Sequence, residues 1–142
     1  MNAWIKEPES YFPSMDEFKH LLDRLLRLSL PSMCVFKGNS MAVGYFLGLA
    51  HDFRIMSANH GIISLTELLF GGFLTPPLFA LLKAKLSAPV VSKLHYALRI
   101  RPDEALKDRA IDSTFKDEAD MVAQMDSFVN RYAALGVHRF PI

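Results

Sequence analysis

Four short strand-like segments, some apolar throughout and others alternating polar and apolar residues, lie between longer helical patterns along this chain. This alternation constrains its fold more than any other feature. The segments are four or five residues long and span residues 33–36, 52–56, 61–65 and 111–115. Apolar runs of this length between turn residues are typical of strands in α/β proteins, where helices connect parallel strands. The pattern therefore predicts the α/β class. Four such strands are too few for a sheet with covered edges, so the chain is predicted to form part of a larger sheet.

Helical spacing of apolar residues surrounds these segments. The first helix is predicted to begin at Ser14, whose hydroxyl would form a capping box with Glu17, and to end before Pro31. A second, buried helix is predicted to use Gly44 and Gly48 as small residues at a close packing contact. The predicted helices after the first one span residues 41–50, 78–86, 89–98, 102–110 and 117–135.

The proline positions also suggest a division of the chain. Residues 1–13 contain Pro8 and Pro13 and little periodicity, so they are predicted to form an extended N-terminal arm. The remaining residues, 14–142, are predicted to form one domain.

The composition excludes several classes of protein. The 142 residues are 51% hydrophobic and 22% charged, with a net charge of +1, which argues against disorder and against a nucleic-acid partner attracted by bulk charge. The one cysteine, Cys34, lies in an apolar run and is interpreted as a small core residue. The five histidines lack metal-ligand spacing, so no metal site is predicted. No segment is both long and apolar enough to cross a membrane.

Several motifs follow one another in an order that carries more information than any one of them. Lys37-Gly38 stands in a turn after the first apolar segment, and Met41-Ala42-Val43-Gly44 opens the predicted buried helix. Downstream come Leu-Ala-His-Asp before the second segment and Thr-Glu-Leu-Leu-Phe-Gly after the third. The remaining motifs are at residues 99–106 and 110–112.

This order resembles the crotonase family, the enoyl-CoA hydratase/isomerase superfamily. In that family an Asn-Gly and glycine-rich turn leads into a buried helix, followed by Leu-Ala-x-x-Asp, Pro-Glu-x-x-x-Gly and Leu-Val-Asp motifs. The resemblance covers about residues 15–135. It implies a partial crotonase (ClpP/crotonase-like) fold, the second half of the domain without the N-terminal ββα units. Leu-Ala-His-Asp and Glu-Leu-x-x-Gly are most similar to the Δ3,Δ2-enoyl-CoA isomerase branch.

The resemblance also implies which residues would take part in chemistry. The family stabilises the enolate of an acyl-CoA thioester with two backbone N–H groups and moves a proton with one or two carboxylates. Val43 stands where the second N–H donor would be, and its side chain would crowd the thioester. Phe46 replaces the first catalytic Glu of hydratases. Glu67 matches the second Glu, the one that suffices for isomerases, and its apolar sequence neighbours would raise its pKa. The structural alternative is that Glu67 lies at the mouth of a relict pocket, or pairs with a basic residue of another chain.

Two functions remain open at this point. The first is a non-catalytic crotonase-like subunit, a pseudoenzyme that serves as a structural or interaction module in a larger assembly. It is favoured because the residues before Pro31 contain no segment like the family's first oxyanion donor. Its partners would be other protein subunits, crotonase-like siblings in a trimer-like arrangement. A mitochondrial assembly, for example a respiratory one, is the host that this hypothesis favours.

The alternative is a Δ3,Δ2-enoyl-CoA isomerase of fatty-acid β-oxidation, with peroxisomes as the alternative compartment. A partner chain would supply the missing half, and a coenzyme A thioester would be the substrate, with no resident cofactor. Whether Tyr45, Phe46 or Phe70 fills the acyl channel would separate the two functions. A coenzyme A-binding sensor without turnover is a third hypothesis.

Overall fold

The computed structural model describes residues 8–133 and confirms the α/β class. The helices are α1 (Pro8–Leu26), α2 (Val43–Leu49), α3 (Pro76–Lys85), α4 (Ala88–His95), α5 (Pro102–Lys107) and α6 (Glu118–Tyr132). The strands are β1 (Met33–Phe36), β2 (Ser40–Met41), β3 (Phe53–Ser57), β4 (Ile63–Ser64) and β5 (Ser113–Phe115). A 3₁₀ turn spans Glu67–Phe70. No helix within residues 8–133 is long and apolar enough to cross a bilayer.

The strands form two small parallel sheets. One sheet has the order β1-β3-β5, and the other pairs β2 with β4. The two residues of β2 align with those of β4 as Ser40↔Ile63 and Met41↔Ser64. Parallel strands need long crossovers, and helices and turns supply them here.

Both faces of β1 are apolar and contact separate clusters. Phe36 belongs to the main core and Cys34 packs against it, whereas Met33 and Val35 pack against a smaller cluster under α6. Cys34 is half-buried, and its burial raises the pKa of the thiol. Cys34 therefore packs against the core as predicted, but it lies at the border of the core and is only partly buried.

Helix α2 lies at the centre of the main core. Its side chains Tyr45, Phe46 and Leu49 are fully buried. Burying three such side chains contributes about 5–9 kcal/mol of hydrophobic free energy, before the entropic cost of ordering them. The apolar helix predicted over residues 41–50 is thus confirmed in kind. It begins only at Val43, because Ser40 and Met41 pair with β4 instead.

A buried arginine ties α2, β3 and β5 together. The Arg54 side chain is 7% exposed and forms an ion pair with Asp112, with 3.4 Å between Nη2 and Oδ2. Its Nε donates to the Ala110 carbonyl at 3.2 Å and its Nη1 to the His51 carbonyl at 3.3 Å. The Tyr45 hydroxyl donates to the same Ala110 carbonyl at 3.0 Å. A buried cation is tolerated only with such partners, so these segments are held in fixed relative positions.

The N-terminal boundary differs from the sequence prediction. Helix α1 begins at Pro8 rather than at Ser14, so an extended arm over residues 8–13 is wrong. Pro8 occupies the first helical position, where an N–H has no partner within the helix. Pro13 forgoes one helical hydrogen bond, and the helix continues through it. The arm predicted for residues 1–7 lies outside the described residues, as do the last residues of the helix predicted over 117–135.

The two glycines of α2 have different surroundings. A Cβ on Gly48 would lie 2.1 Å from the Phe36 ring, so the helix approaches β1 as closely as only glycine permits. Gly44 is exposed, with no atom within 4 Å of the equivalent position. The predicted close packing is therefore confirmed at Gly48 and wrong at Gly44.

We expect Gly48→Ala to lower the free energy of unfolding by about 1–3 kcal/mol, because the new methyl group overpacks the contact with Phe36. Gly44→Ala is the matched control in the same helix. It should raise the free energy by up to about 1 kcal/mol, because alanine favours the helix and meets no obstacle. Urea unfolding followed by circular dichroism measures both. Equal effects of the two substitutions would contradict the packing described here.

Candidate active site

The candidate site lies at the carboxyl end of the β2–β4 pair. Beyond Met41 and Ser64 the two chains leave the sheet side by side, and the Ala42 N–H donates to the Ser64 carbonyl at 3.0 Å. Val43 follows two residues after Met41, and Glu67 follows three residues after Ser64. Ligands of parallel sheets bind outside the carboxyl ends of the strands. The fold therefore brings the two predicted site residues to one end of the same pair of strands.

Ala42 has a backbone conformation that is unusual for alanine. Its φ is 49° and its ψ is −121°, in a region that only glycine adopts without strain. Besides its N–H bond to Ser64, its carbonyl accepts from the Tyr45 N–H at 3.0 Å and from the Phe46 N–H at 3.2 Å. Such strain costs about 1–3 kcal/mol and persists only where the surroundings hold it. No local pattern in the sequence singles out Ala42. Its only signal is its position in a motif that is glycine-rich in the family the chain resembles.

The N–H group of Val43 points out of the first turn of α2. It has no hydrogen-bond acceptor among residues 8–133. The first N–H groups of a helix are unsatisfied by geometry and carry partial positive charge. The Val43 side chain is 44% exposed, so the crowding predicted for a thioester would come from a side chain at the protein surface. An N–H that is free and held in place by a strained neighbour suits an oxyanion donor.

Glu67 begins the 3₁₀ turn that follows β4. The turn ends at Gly71, whose φ of 70° lies in the left-handed region that favours glycine. The Gly72 N–H donates to the Glu67 carbonyl at 2.8 Å. The side-chain atom Oε2 of Glu67 is buried and has no hydrogen-bond partner among the described residues. Burial raises the pKa of the carboxyl above its ordinary value of 4.5, and the backbone N–H groups of Glu67 and Thr66 offset part of this effect. The predicted apolar setting of Glu67 is thus present, and its carboxylate is poorly solvated.

The aromatic residues near the site fall into two groups. Tyr45 and Phe46 are fully buried and belong to the main core, so neither contributes an acid or base at the surface. Phe70 is 59% exposed, and other large apolar side chains that follow Glu67 in the sequence are also exposed to solvent. These apolar rim residues are Leu68, Leu69, Phe70 and Phe73, with exposed fractions between 43% and 77%.

A separate cavity of about 400 Å³ lies between the three-stranded sheet and α6. Its lining includes Met33, Phe53 and Tyr132, and neither Glu67 nor Val43 contributes to it. In the described part of the chain no three His, Cys, Asp or Glu side chains are placed to hold a metal ion.

The sequence is similar to those of curated enoyl-CoA delta isomerases over about three quarters of the chain. The peroxisomal enoyl-CoA delta isomerase 2 of Arabidopsis thaliana is 27% identical over 110 residues, 76% of this chain and 46% of the relative. Enoyl-CoA delta isomerase 3 of the same plant is 27% identical over 109 residues, 75% of this chain and 46% of the relative. The chain thus spans about half the length of the curated relatives it matches. No family model matches the chain.

Solved structures share the fold at lower identity. An apo enoyl-CoA isomerase from Mtb superposes with a TM-score of 0.79 at 22% identity, over 89% of this chain and 57% of that one. An enoyl-CoA hydratase/carnitine racemase from Magnetospirillum magneticum gives 0.78 at 18% identity, over 91% and 47%. The chain has the crotonase fold. The resemblance in the sequence is thereby confirmed, and the chain corresponds to about half of each of these two solved chains.

The partly buried carboxyl of Glu67 gives stability a pH dependence. Because its pKa in the folded state is raised, its contribution is fully present below the unfolded pKa and is lost as pH rises through the folded pKa. Glutamine stays neutral throughout. We expect Glu67→Gln and the natural chain to have similar free energies of unfolding near about pH 4. The variant should become progressively more stable than the natural chain toward about pH 8.

Urea unfolding at a series of pH values measures this difference. Glu17→Gln removes a carboxylate from the exposed side of α1 and serves as the matched control. A constant difference between Glu67→Gln and the natural chain across the pH range would show that the Glu67 carboxylate is solvated after all.

Proposed function

We propose that residues 8–133 form one half of an enoyl-CoA isomerase active site, with Glu67 as the proton carrier. The observation that supports this most is the buried, unpartnered Oε2 of Glu67 beside the end of strands that also position the free N–H of Val43. A carboxylate oxygen that is buried without a hydrogen-bond partner costs stability, and carboxyl groups with a raised pKa occur often at sites of acid–base chemistry. The enoyl-CoA delta isomerases among the relatives are consistent with this assignment.

The chemistry needs one base and one oxyanion site. The Glu67 carboxylate removes a proton from C2 of a 3-enoyl-CoA, and the electron pair moves into a dienolate whose charge lies on the thioester oxygen. The Val43 N–H donates a hydrogen bond to that oxygen. Glu67 then returns the proton to C4, so the double bond moves from C3 to C2 and no atom is gained or lost. One carboxylate is sufficient for this reaction, whereas hydration would need a second one at the position of Phe46.

The described residues supply one of the two oxyanion donors. Absence of one donor typically lowers the rate by about 100- to 1,000-fold. We therefore propose that the second donor comes from outside residues 8–133, on a surface that faces the apolar rim. That surface would also cover the exposed Leu69, Phe70 and Phe73.

The decisive experiment uses the assembly as the cell makes it. Natural and Glu67→Gln chains are expressed in the native cell, purified with the chains that accompany them, and assayed for 3-enoyl-CoA isomerisation. We expect Glu67→Gln to lower kcat by about 100- to 10,000-fold, because the only proton carrier is lost. Glu17→Gln, the exposed control, should retain full activity. Equal turnover of the Glu67→Gln and natural assemblies would disprove the assignment.

The second candidate is the non-catalytic subunit, a structural or interaction module among crotonase-like siblings. The apolar rim favours it, because four exposed large apolar side chains in one short segment are typical of a protein contact. The same assay separates the candidates. A stable native assembly without isomerase activity would support the non-catalytic module and exclude the isomerase.

Each of the two candidate functions is associated with a different cellular compartment. Enoyl-CoA delta isomerase 2 of Arabidopsis thaliana is named as peroxisomal, which supports the peroxisome as the location of an isomerase. The mitochondrial location stays tied to the non-catalytic hypothesis and has no support from these relatives.

A further inference from the structure

Helix α6 packs closely against the three-stranded sheet at its start and leaves a gap further along. Met121 in its first turn is buried in a cluster with Ile55 and Phe115. Phe128 and Tyr132, about two and three turns further on, are only partly buried. The cavity of about 400 Å³ lies beside these two rings and is open to solvent. A cavity of this size falls within the range of about 300–1,000 Å³ that is typical of small-molecule sites.

One wall of the cavity is aromatic. The rings of Phe53 and Phe128 have their centroids 5.2 Å apart, and those of Phe128 and Tyr132 are 4.9 Å apart. Because the three rings contact one another, they hold their positions while part of each ring faces the cavity. Aromatic rings pack well against flat apolar molecules, edge to face or offset. This wall therefore suits a planar apolar ligand.

The other wall is polar. Gln124, Ser127 and Arg131 follow one another at helical spacing, so they form a stripe along the same side of α6. Asp112 and Ser113, at the start of β5, also line the cavity. An apolar cavity with a few polar groups on one side is the usual arrangement where a ligand must be held in one orientation.

The polar wall carries two opposite charges, and the described residues neutralise only one of them. The Asp112 carboxylate accepts from the Arg54 N–H at 2.7 Å and lies 3.4 Å from the Arg54 guanidinium. Arg131 forms no ion pair within residues 8–133. The charge that is left for a ligand is therefore positive. A guanidinium binds carboxylates through two parallel hydrogen bonds, so a carboxylate is the group that fits.

We infer that this cavity binds a small aromatic carboxylate, with its ring against Phe53 and Phe128 and its carboxylate on Arg131. The volume sets the size of the ligand. A cavity of about 150 Å³ holds one benzene ring, so about 400 Å³ accommodates two fused rings and a carboxylate. Neither Glu67 nor Val43 lines the cavity, and the inference does not depend on the proposed function.

Isothermal titration calorimetry tests the site with two probes of the same shape, 2-naphthoate and the neutral 2-naphthamide. The full chain is used, purified with the chains that accompany it. We expect 2-naphthoate to bind with a Kd of about 1 mM or below, as is usual for a ligand of this size. The neutral amide should bind about three- to tenfold more weakly, because it forms no ion pair with a partly solvated guanidinium.

Two substitutions locate the binding. Arg131→Gln should remove the preference for the carboxylate, so that both probes bind alike. Ser127→Phe places a ring in the cavity and should weaken both probes by about tenfold or more. Arg101→Gln and Ser92→Phe are the matched controls, because both residues are exposed and neither lines the cavity. They should bind the probes as the natural chain does.

Three results would overturn the inference. The first is no binding of 2-naphthoate up to about 10 mM, which would mean that the cavity is closed in the full chain. The second is equal affinity of the natural chain for the two probes. The third is an undiminished preference in Arg131→Gln, which would place the binding elsewhere, for example on the apolar rim. Circular dichroism checks the fold of each variant, and Arg131→Gln decides the question alone if Ser127→Phe does not fold.

Discussion

The burial of one positive charge fixes the relative positions of the elements in this fold. Arg54 lies in the central strand of the main sheet. Because its guanidinium is buried, its N–H groups need hydrogen-bond acceptors from the surrounding chain. Two backbone carbonyls and Asp112 meet that need, one carbonyl at the end of α2 and the other next to β5. The Tyr45 hydroxyl of α2 donates to the same Ala110 carbonyl that accepts from Arg54. A shift of α2, the helix that begins at the candidate site, would therefore disturb the hydrogen bonds of the buried charge. The position of the Val43 N–H, the proposed oxyanion donor, therefore depends on contacts at the far side of the core.

The candidate site combines two features that each cost stability. Ala42 adopts a conformation suited to glycine, and Glu67 keeps a buried oxygen without a partner. Both lie at the end of the same two-residue strands, and the rest of the core must compensate for them. Strained and unsatisfied groups that occur together are more typical of functional sites than of structural ones. This coincidence supports a catalytic origin of the site under either proposed function.

Much of this architecture could be predicted from the sequence, for identifiable reasons. The apolar run 33–36 and the helical spacing after Asp117 are local signals, and β1 and α6 lie close to where those signals place them. Glu67 and Val43 could be singled out because their motifs follow a family order. The start of α1 differs from the prediction because prolines such as Pro8 and Pro13 usually indicate a break, although a proline at the first helical position stabilises a helix start. The burial of Oε2, the strain at Ala42 and the cavity beside α6 depend on contacts between distant segments, which no local pattern encodes.

The sequence separation of the paired strands also affects how fast this chain can fold. The pairings between the strands β1–β5 are all parallel, and the partners are far apart in sequence. Contacts beside β1–β3 span 20 residues, those beside β2–β4 span 23, and those from β3 to the start of β5 span 58. Closing such loops costs entropy before any stabilising contact is made, so folding rates fall as contact order rises. The short helices form quickly but cannot align a sheet by themselves. Newly made chains consequently spend their longest interval with apolar strands uncovered, and that interval is when capture by a chaperone or by a folding partner is most effective.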